Sequence, residues 1–175
     1  MRAQRRWVIG AGLAGLVYAA ALHAQEPLPA PVYTLKQERP RTGTNIPRDV
    51  VFASELALNR RYGEMSEAEQ RKVRSLFEAM PAGDEPPFPI NGLGPVYRAI
   101  QKVTEKMQVR GDMALVVRVA PDGEATGVQV LKSPDAEATR AVGSVLMLTR
   151  YKPAICAGTP CAMDYPFRIS SQLHH

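Results

Sequence analysis

The sequence predicts an α+β fold in the order helix, strand, strand, helix, strand, with a small helical segment in front of it, and three patterns carry that prediction. Apolar residues recur at helical spacing in Val96, Ile100, Val103 and Met107, and again in Ala138, Ala141, Val142, Val145 and Leu146. Period-two alternation marks Leu115, Val117 and Val119, then Val128 and Val130, then Met163, Tyr165, Phe167 and Ile169. Pro121-Asp122-Gly123 lies between the first two alternating runs and is short enough to join them as an antiparallel hairpin.

From the N-terminus, residues 1–24 have a basic head, an apolar stretch beginning at Trp7 and small residues at the end, the layout of an export signal with cleavage expected after Ala24. The alternative is an uncleaved anchor, since the apolar run approaches the ~18 residues at which spanning becomes possible. In both cases the arginines stay in the cytoplasm and the remainder is exported. Arg5-Arg6 lacks the surrounding residues of a twin-arginine signal. Residues 25–49 are punctuated by Pro27, Pro29, Pro31, Pro40 and Pro47 and read as a linker.

Residues 50–92 form a helical extension and connector. Val51, Leu56 and Leu58 suggest a short helix over 50–62, ended by Gly63. Ser66 and Glu69 have capping-box spacing, and the helix they open is expected to run through Val73, Leu76, Phe77 and Met80 until Pro81 and Gly83 stop it. Residues 84–89 contain Pro86, Pro87 and Pro89, so they should be extended, excluded from both helix and strand ladder. The apolar stripe of this extension is expected to pack on the second half.

In that second half, the Val96 stripe places a helix over 95–108, with Arg98, Lys102 and Lys106 as a solvated basic row. Two hairpin strands follow. Ser133-Pro134-Asp135 reads as an N-cap, a proline at the first helical position and an acid in the first turn of the next helix. The Met163 run is the last strand.

Charge narrows the partners. The net charge is +5, and Arg2, Arg5 and Arg6 supply three of those charges, leaving a near-neutral body with 6% aromatics. Such a body has no basic footprint for nucleic acid, which is excluded as a partner. The two cysteines, Cys156 and Cys161, flank Gly158 and Pro160 and read as a structural disulfide in an oxidising compartment. Their spacing is not C-x-x-C, which argues against redox catalysis. A zinc site would need His174 and His175, adjacent and terminal, so no metal and no cofactor is expected. No Ser/His/Asp or Cys/His arrangement points to an enzyme.

The ordered series of a valine-alternating strand, Pro121-Asp122-Gly123, a second Val-x-Val strand, a capped helix and Arg150-Tyr151-Lys152-Pro153-Ala154 before a final strand resembles the C-terminal domain of the energy transducer TonB. The resemblance covers residues 93–175. It implies a three-stranded antiparallel sheet with helices packed on one face, a periplasmic location in a Gram-negative envelope, and capture of an extended outer-membrane-receptor peptide at the edge of the last strand. The sequence departs from the family in several places. Gly94-Pro95-Val96 stands where a Tyr-Pro pair often opens the first helix, and the cysteine pair and the 50–92 extension are additions. Residues 26–47 would reach only about 70 Å even as polyproline.

The expectation is therefore a periplasmic, non-catalytic binding or adaptor module that recognises a protein or peptide partner. The alternative is a membrane-anchored energy transducer. A homodimer is compatible with either, and membrane contact arises only if residues 1–24 are retained. The expected partner-binding edge is the last strand: Met163, Asp164, Tyr165, Pro166, Phe167, Arg168 and Ile169. Pro166 supports an edge position because proline cannot donate to a ladder, and by the same property it could block foreign pairing.

Overall fold

The computed structural model describes residues 33–35 and 59–171. The export signal or anchor, most of the linker, the 50–62 helix as far as residue 58, and His174 and His175 lie outside the described residues. In chain order the elements are a 3-10 turn (Tyr62–Glu64), α1 (Glu67–Arg74), β1 (Phe88–Pro89), α2 (Leu93–Lys106), β2 (Gly111–Val119) and β3 (Ala125–Lys132). They continue with α3 (Ala136–Leu148), β4 (Tyr151–Lys152), β5 (Ala154–Cys156), β6 (Thr159–Cys161) and β7 (Met163–Ser171).

The main sheet is three-stranded, in the order β3, β2, β7, and both pairings are antiparallel. Its register puts Met113, Leu115, Val117 and Val119 of β2 beside Ile169, Phe167, Tyr165 and Met163 of β7. All eight are buried. All but Met163 join one core with Val96 and Ile100 of α2 and Ala138, Val142 and Leu146 of α3, so both helices cover the same face. The expected α+β architecture, with helices on one face of a three-stranded antiparallel sheet, is what the chain adopts.

Several boundaries differ from the sequence expectation, each for a local reason. The helix opened by Ser66 ends at Arg74, well before Met80. Its capping box forms, with Ser66 N–H donating to Glu69 Oε2 at 2.7 Å. Leu76 and Phe77 then leave the helix in a turn, with their N–H groups bonded to Val73 and Arg74 carbonyls, and are buried in a second apolar cluster. At Ala79 the chain takes a positive φ of 53°. Gly63 belongs to the 3-10 turn and does not end a helix. Helix α2 begins at Leu93, two residues before Pro95, which sits in its first turn.

The N-cap of α3 is Asp135, not Ser133. The Asp135 carboxylate accepts the Ala138 N–H at 2.7 Å, while the Ser133 hydroxyl pairs with the Thr139 hydroxyl at 2.6 Å. Within α3, Ala141 and Val145 are only half-buried and Thr139 is buried in their stead. The expectation that residues 84–89 enter no ladder is also overturned. Phe88 and Pro89 pair with Lys152 and Tyr151, and Glu85 exchanges backbone hydrogen bonds with Ile155 at 3.0 and 2.8 Å. The prolines occupy the positions between these donors, so no ladder bond depends on them.

The extension packs on the sheet half, as its apolar stripe predicts. Tyr62, Met65, Val73 and Phe88 share the main core.

Candidate functional site

Strand β7 is nine residues long, and among the described residues its only strand partner is β2. The direction of its main-chain groups follows from alternation. Ala120 N–H donates to the Glu124 carbonyl, so even-numbered residues of β2 direct their groups to β3 and odd-numbered residues direct theirs to β7. With Val117 opposite Tyr165 and no register shift, the odd-numbered residues of β7 carry the ladder. Asp164, Pro166, Arg168 and Ser170 then present their backbone groups to the open edge. Tyr97 agrees with this assignment, since its hydroxyl donates to the Arg168 carbonyl at 3.4 Å from outside the ladder.

Pro166 therefore removes no bond from the β2–β7 ladder. What it lacks is one donor on the free edge, where its carbonyl remains.

Helix α2 runs beside this edge and forms a groove of about 440 Å³ between Tyr97, Ile100, Gln101, Thr104 and Glu105 on one wall and residues 168–171 on the other. The wall arises from helical spacing: Tyr97, Gln101 and Glu105 are four residues apart, as are Ile100 and Thr104. Gln101 Nε2 donates to Glu105 Oε1 at 2.6 Å, and the Thr104 hydroxyl turns back to the Gln101 carbonyl at 3.0 Å. Burial pushes the Tyr97 phenol above its ordinary value, keeping it a neutral donor.

The expected edge residues divide by face. Met163, Tyr165, Phe167 and Ile169 are core side chains and leave only their strand to a partner. Asp164, Pro166 and Arg168 occupy the opposite face. Asp164 is already engaged: Arg118 across the ladder contacts both of its oxygens, at 2.5 and 3.3 Å, and this pairing raises the arginine's pKa. Asp112, at the other end of β2, is held below the usual carboxylate range by the Ser170 hydroxyl and then by Lys132 at 3.1 Å. The sequence alone did not reveal the α2 wall, because Tyr97, Gln101 and Thr104 lie outside the apolar stripe that defined the helix. The signal was present in their spacing, but it becomes a wall only once β7 lies alongside.

The cysteine pair forms a disulfide, Cys156–Cys161, with Cα atoms 5.9 Å apart. It closes a hairpin of β5 and β6 whose turn lies at Ala157 and Gly158, both with positive φ. Pro160 sits in a strand opposite Ile155. The disulfide packs with Leu76, Phe77 and Met163 in the second cluster, against which Tyr33 and Leu35 rest. Asp84 is buried there and accepts both the Tyr33 hydroxyl at 2.5 Å and the Ala157 N–H at 3.0 Å.

Among the described residues no group of three or more histidine, cysteine, aspartate or glutamate side chains is placed to hold a metal ion, and no helix is long and apolar enough to cross a membrane. No protein-family model matches the chain, and no curated protein matches it.

Proposed function

We propose that this chain is a periplasmic, non-catalytic binding module that captures an extended segment of an outer-membrane or periplasmic protein by strand addition along β7. The observation that carries the reading is the open edge itself. Asp164 and Ser170 direct N–H and C=O groups there, and Pro166 a carbonyl, beside a groove walled by α2. Main-chain bonds would supply affinity, and alternate side chains of the guest would enter the groove against Tyr97, Ile100 and Thr104. The remaining side chains would face Arg168, giving this residue a part in selectivity. The resemblance to the TonB C-terminal domain points to the same edge.

The test is a titration of isotope-labelled protein with synthetic peptides from the N-terminal segments of outer-membrane receptors. Amides of Asp164 and Ser170 should shift and gain exchange protection more than those of Tyr165 and Phe167, which already donate to β2. The same peptide N-methylated at alternate residues should lose binding on one of the two phases of methylation only. Saturating peptide that leaves the edge amides unmoved, with the sheet intact, would refute strand addition at β7.

A further inference from the structure

Strand β3 and helix α3 enclose a groove of about 360 Å³ at the side of the sheet opposite β7. Its floor comes from strand alternation. Val128 and Val130 stand opposite Val117 and Leu115, so their side chains lie on the face that the helices cover. Its wall comes from helical spacing, since Ala136, Arg140 and Gly143 follow one another at intervals of four and three. Met147 continues that row four residues further on. Ala138, Val142 and Leu146 of the same helix are buried against the sheet, and the row beside them overlooks β3. Ala136 and Gly143 carry little or no side chain, which keeps the wall low. Val130 is left 49% exposed and Met147 41%.

The opening is not shaped for a further strand. The pairing of β2 with β3 shifts register between Ala114 and Leu115 and again between Arg118 and Val119, leaving Leu131 and Thr126 as extra residues of β3. Only residues 127–130 pair regularly, and the two irregular ends turn the edge out of line with an incoming ladder. The groove therefore suits a guest that fills apolar volume and needs no main-chain bonds.

Its polar features are few. The Thr139 hydroxyl is buried and already engaged, by the Asp135 carbonyl and the Ser133 hydroxyl, both at 2.6 Å. Arg140 is the only charged residue of the lining, and it makes no ion pair among the described residues. An apolar trench with one uncompensated cation at its rim is complementary to an alkyl tail that ends in an anion. The volume falls within the about 300–1,000 Å³ of small-molecule pockets, which are mostly apolar with a few polar groups that fix orientation.

We infer that the β3–α3 groove is a binding site for a single-chain alkyl carboxylate, the chemistry of a free fatty acid. The tail lies over Val128, Val130 and Gly143 toward Met147, and the carboxylate meets the Arg140 guanidinium, whose planar fork matches its two oxygens. Burial of the exposed valine surface supplies the driving force, and the arginine selects the head group. The site is at the far side of the sheet from β7 and does not rest on the peptide-binding reading.

The experiment uses the full chain and decanoate below its micelle concentration, followed by calorimetry and by amide shifts. Amides of residues 128–130 and 139–143 should move while those of β7 stay in place. From octanoate to dodecanoate, affinity should rise about twofold per added methylene, as for a chain buried on one side. Arg140→Gln should weaken decanoate about fivefold and leave decanol unchanged. In Gly143→Leu the new side chain enters the groove without a clash, because nothing lies within 4 Å of a Cβ at that position. Binding of decanoate and decanol should then both fall at least about tenfold, with circular dichroism unchanged. If Gly143→Leu fails to fold, the contrast between decanoate and decanol in Arg140→Gln decides together with the shift map. Saturating decanoate that moves no groove amide overturns the inference, and so does binding indifferent to both variants, the mark of unspecific adsorption. Self-association that protects the same amides and excludes decanoate also overturns it, by assigning the groove to a second copy.

Discussion

Gly123 sets how closely the β2–β3 turn can approach the chain that follows α3. Its φ is 83°, and a Cβ there would lie 2.1 Å from the Tyr151 carbonyl oxygen, a backbone atom that cannot rotate away. The same approach lets Tyr151 N–H donate to the Gly123 carbonyl at 2.9 Å, and Arg150 and Glu124 form an ion pair alongside. Gly123→Ala therefore combines an unfavourable backbone conformation with a clash, and should destabilise the fold by at least about 2 kcal/mol. Gly127→Ala is the control: nothing lies within 4 Å of its added Cβ, and the expected change is within about 0.5 kcal/mol. Chemical denaturation of the two variants measures both, and equal midpoints would refute the close-approach account. Pro166 shows a different residue-level economy, with its missing donor placed on the edge and not in the ladder.

At the scale of elements, the disulfide hairpin holds the 84–89 connector and the linker arm at residues 33–35 together. The cystine closes a short loop, which contributes about 2 kcal/mol by the chain-entropy estimate. It is also packed against Leu76, Phe77 and Met163, and the hairpin turn donates to buried Asp84, which in turn accepts from Tyr33. Replacing both cysteines by serine should cost roughly 2 kcal/mol or more, and the loss should be uneven. The Glu78 N–H, which donates to the Thr34 carbonyl at 2.9 Å, should exchange much faster, while amides in the centre of β2 change only with global stability. Uniform acceleration of exchange would mean that the cystine stabilises the chain without docking the arm.

This arrangement also marks how far the sequence could be read. Helices α2 and α3 and strands β2, β3 and β7 were visible because each has one buried face, which leaves a period in the sequence. The edge position of β7 was also legible, from Pro166 and from the helix that intervenes before the strand. Strands β1, β4, β5 and β6 are two or three residues long, too short to leave a period, and two of them contain proline. The early end of α1 was hidden because Leu76 and Phe77 fit its helical stripe equally well. What removes them from the helix is the cystine cluster, formed some 80 residues later in the chain.

For the molecule as a whole, a chain of rings links the extension to the sheet. Tyr62 meets Phe88 at 6.1 Å between centroids, Phe88 meets Tyr165 at 5.8 Å, Tyr165 meets Phe167 at 5.1 Å, and Phe167 meets Tyr151 at 6.5 Å. The path runs from the 3-10 turn through β1 to β7 and on to β4, so it crosses the boundary at residues 92–93 and ties both halves into one core. All three of its phenols, on Tyr62, Tyr151 and Tyr165, are buried, and desolvation pushes each above the ordinary tyrosine value, those of Tyr165 and Tyr151 furthest. The Tyr151 hydroxyl also donates to the Leu146 carbonyl at 3.1 Å, which requires its proton.

A folded-state pKa raised above the unfolded value of about 10 makes this contribution complete below pH ~10 and erodes it as pH rises toward the folded value. The protein should therefore lose stability steeply above pH ~10. Its tyrosinate absorbance should rise together with the loss of helical circular dichroism, in one transition and not residue by residue. Tyr165→Phe removes one of the buried ionisations, so the fall in stability between neutral and alkaline pH should be shallower in that variant, whatever its starting stability. Independent titration of all the tyrosines near pH ~10, with the fold retained, would show that the ring chain does not hold the two halves as a single cooperative unit.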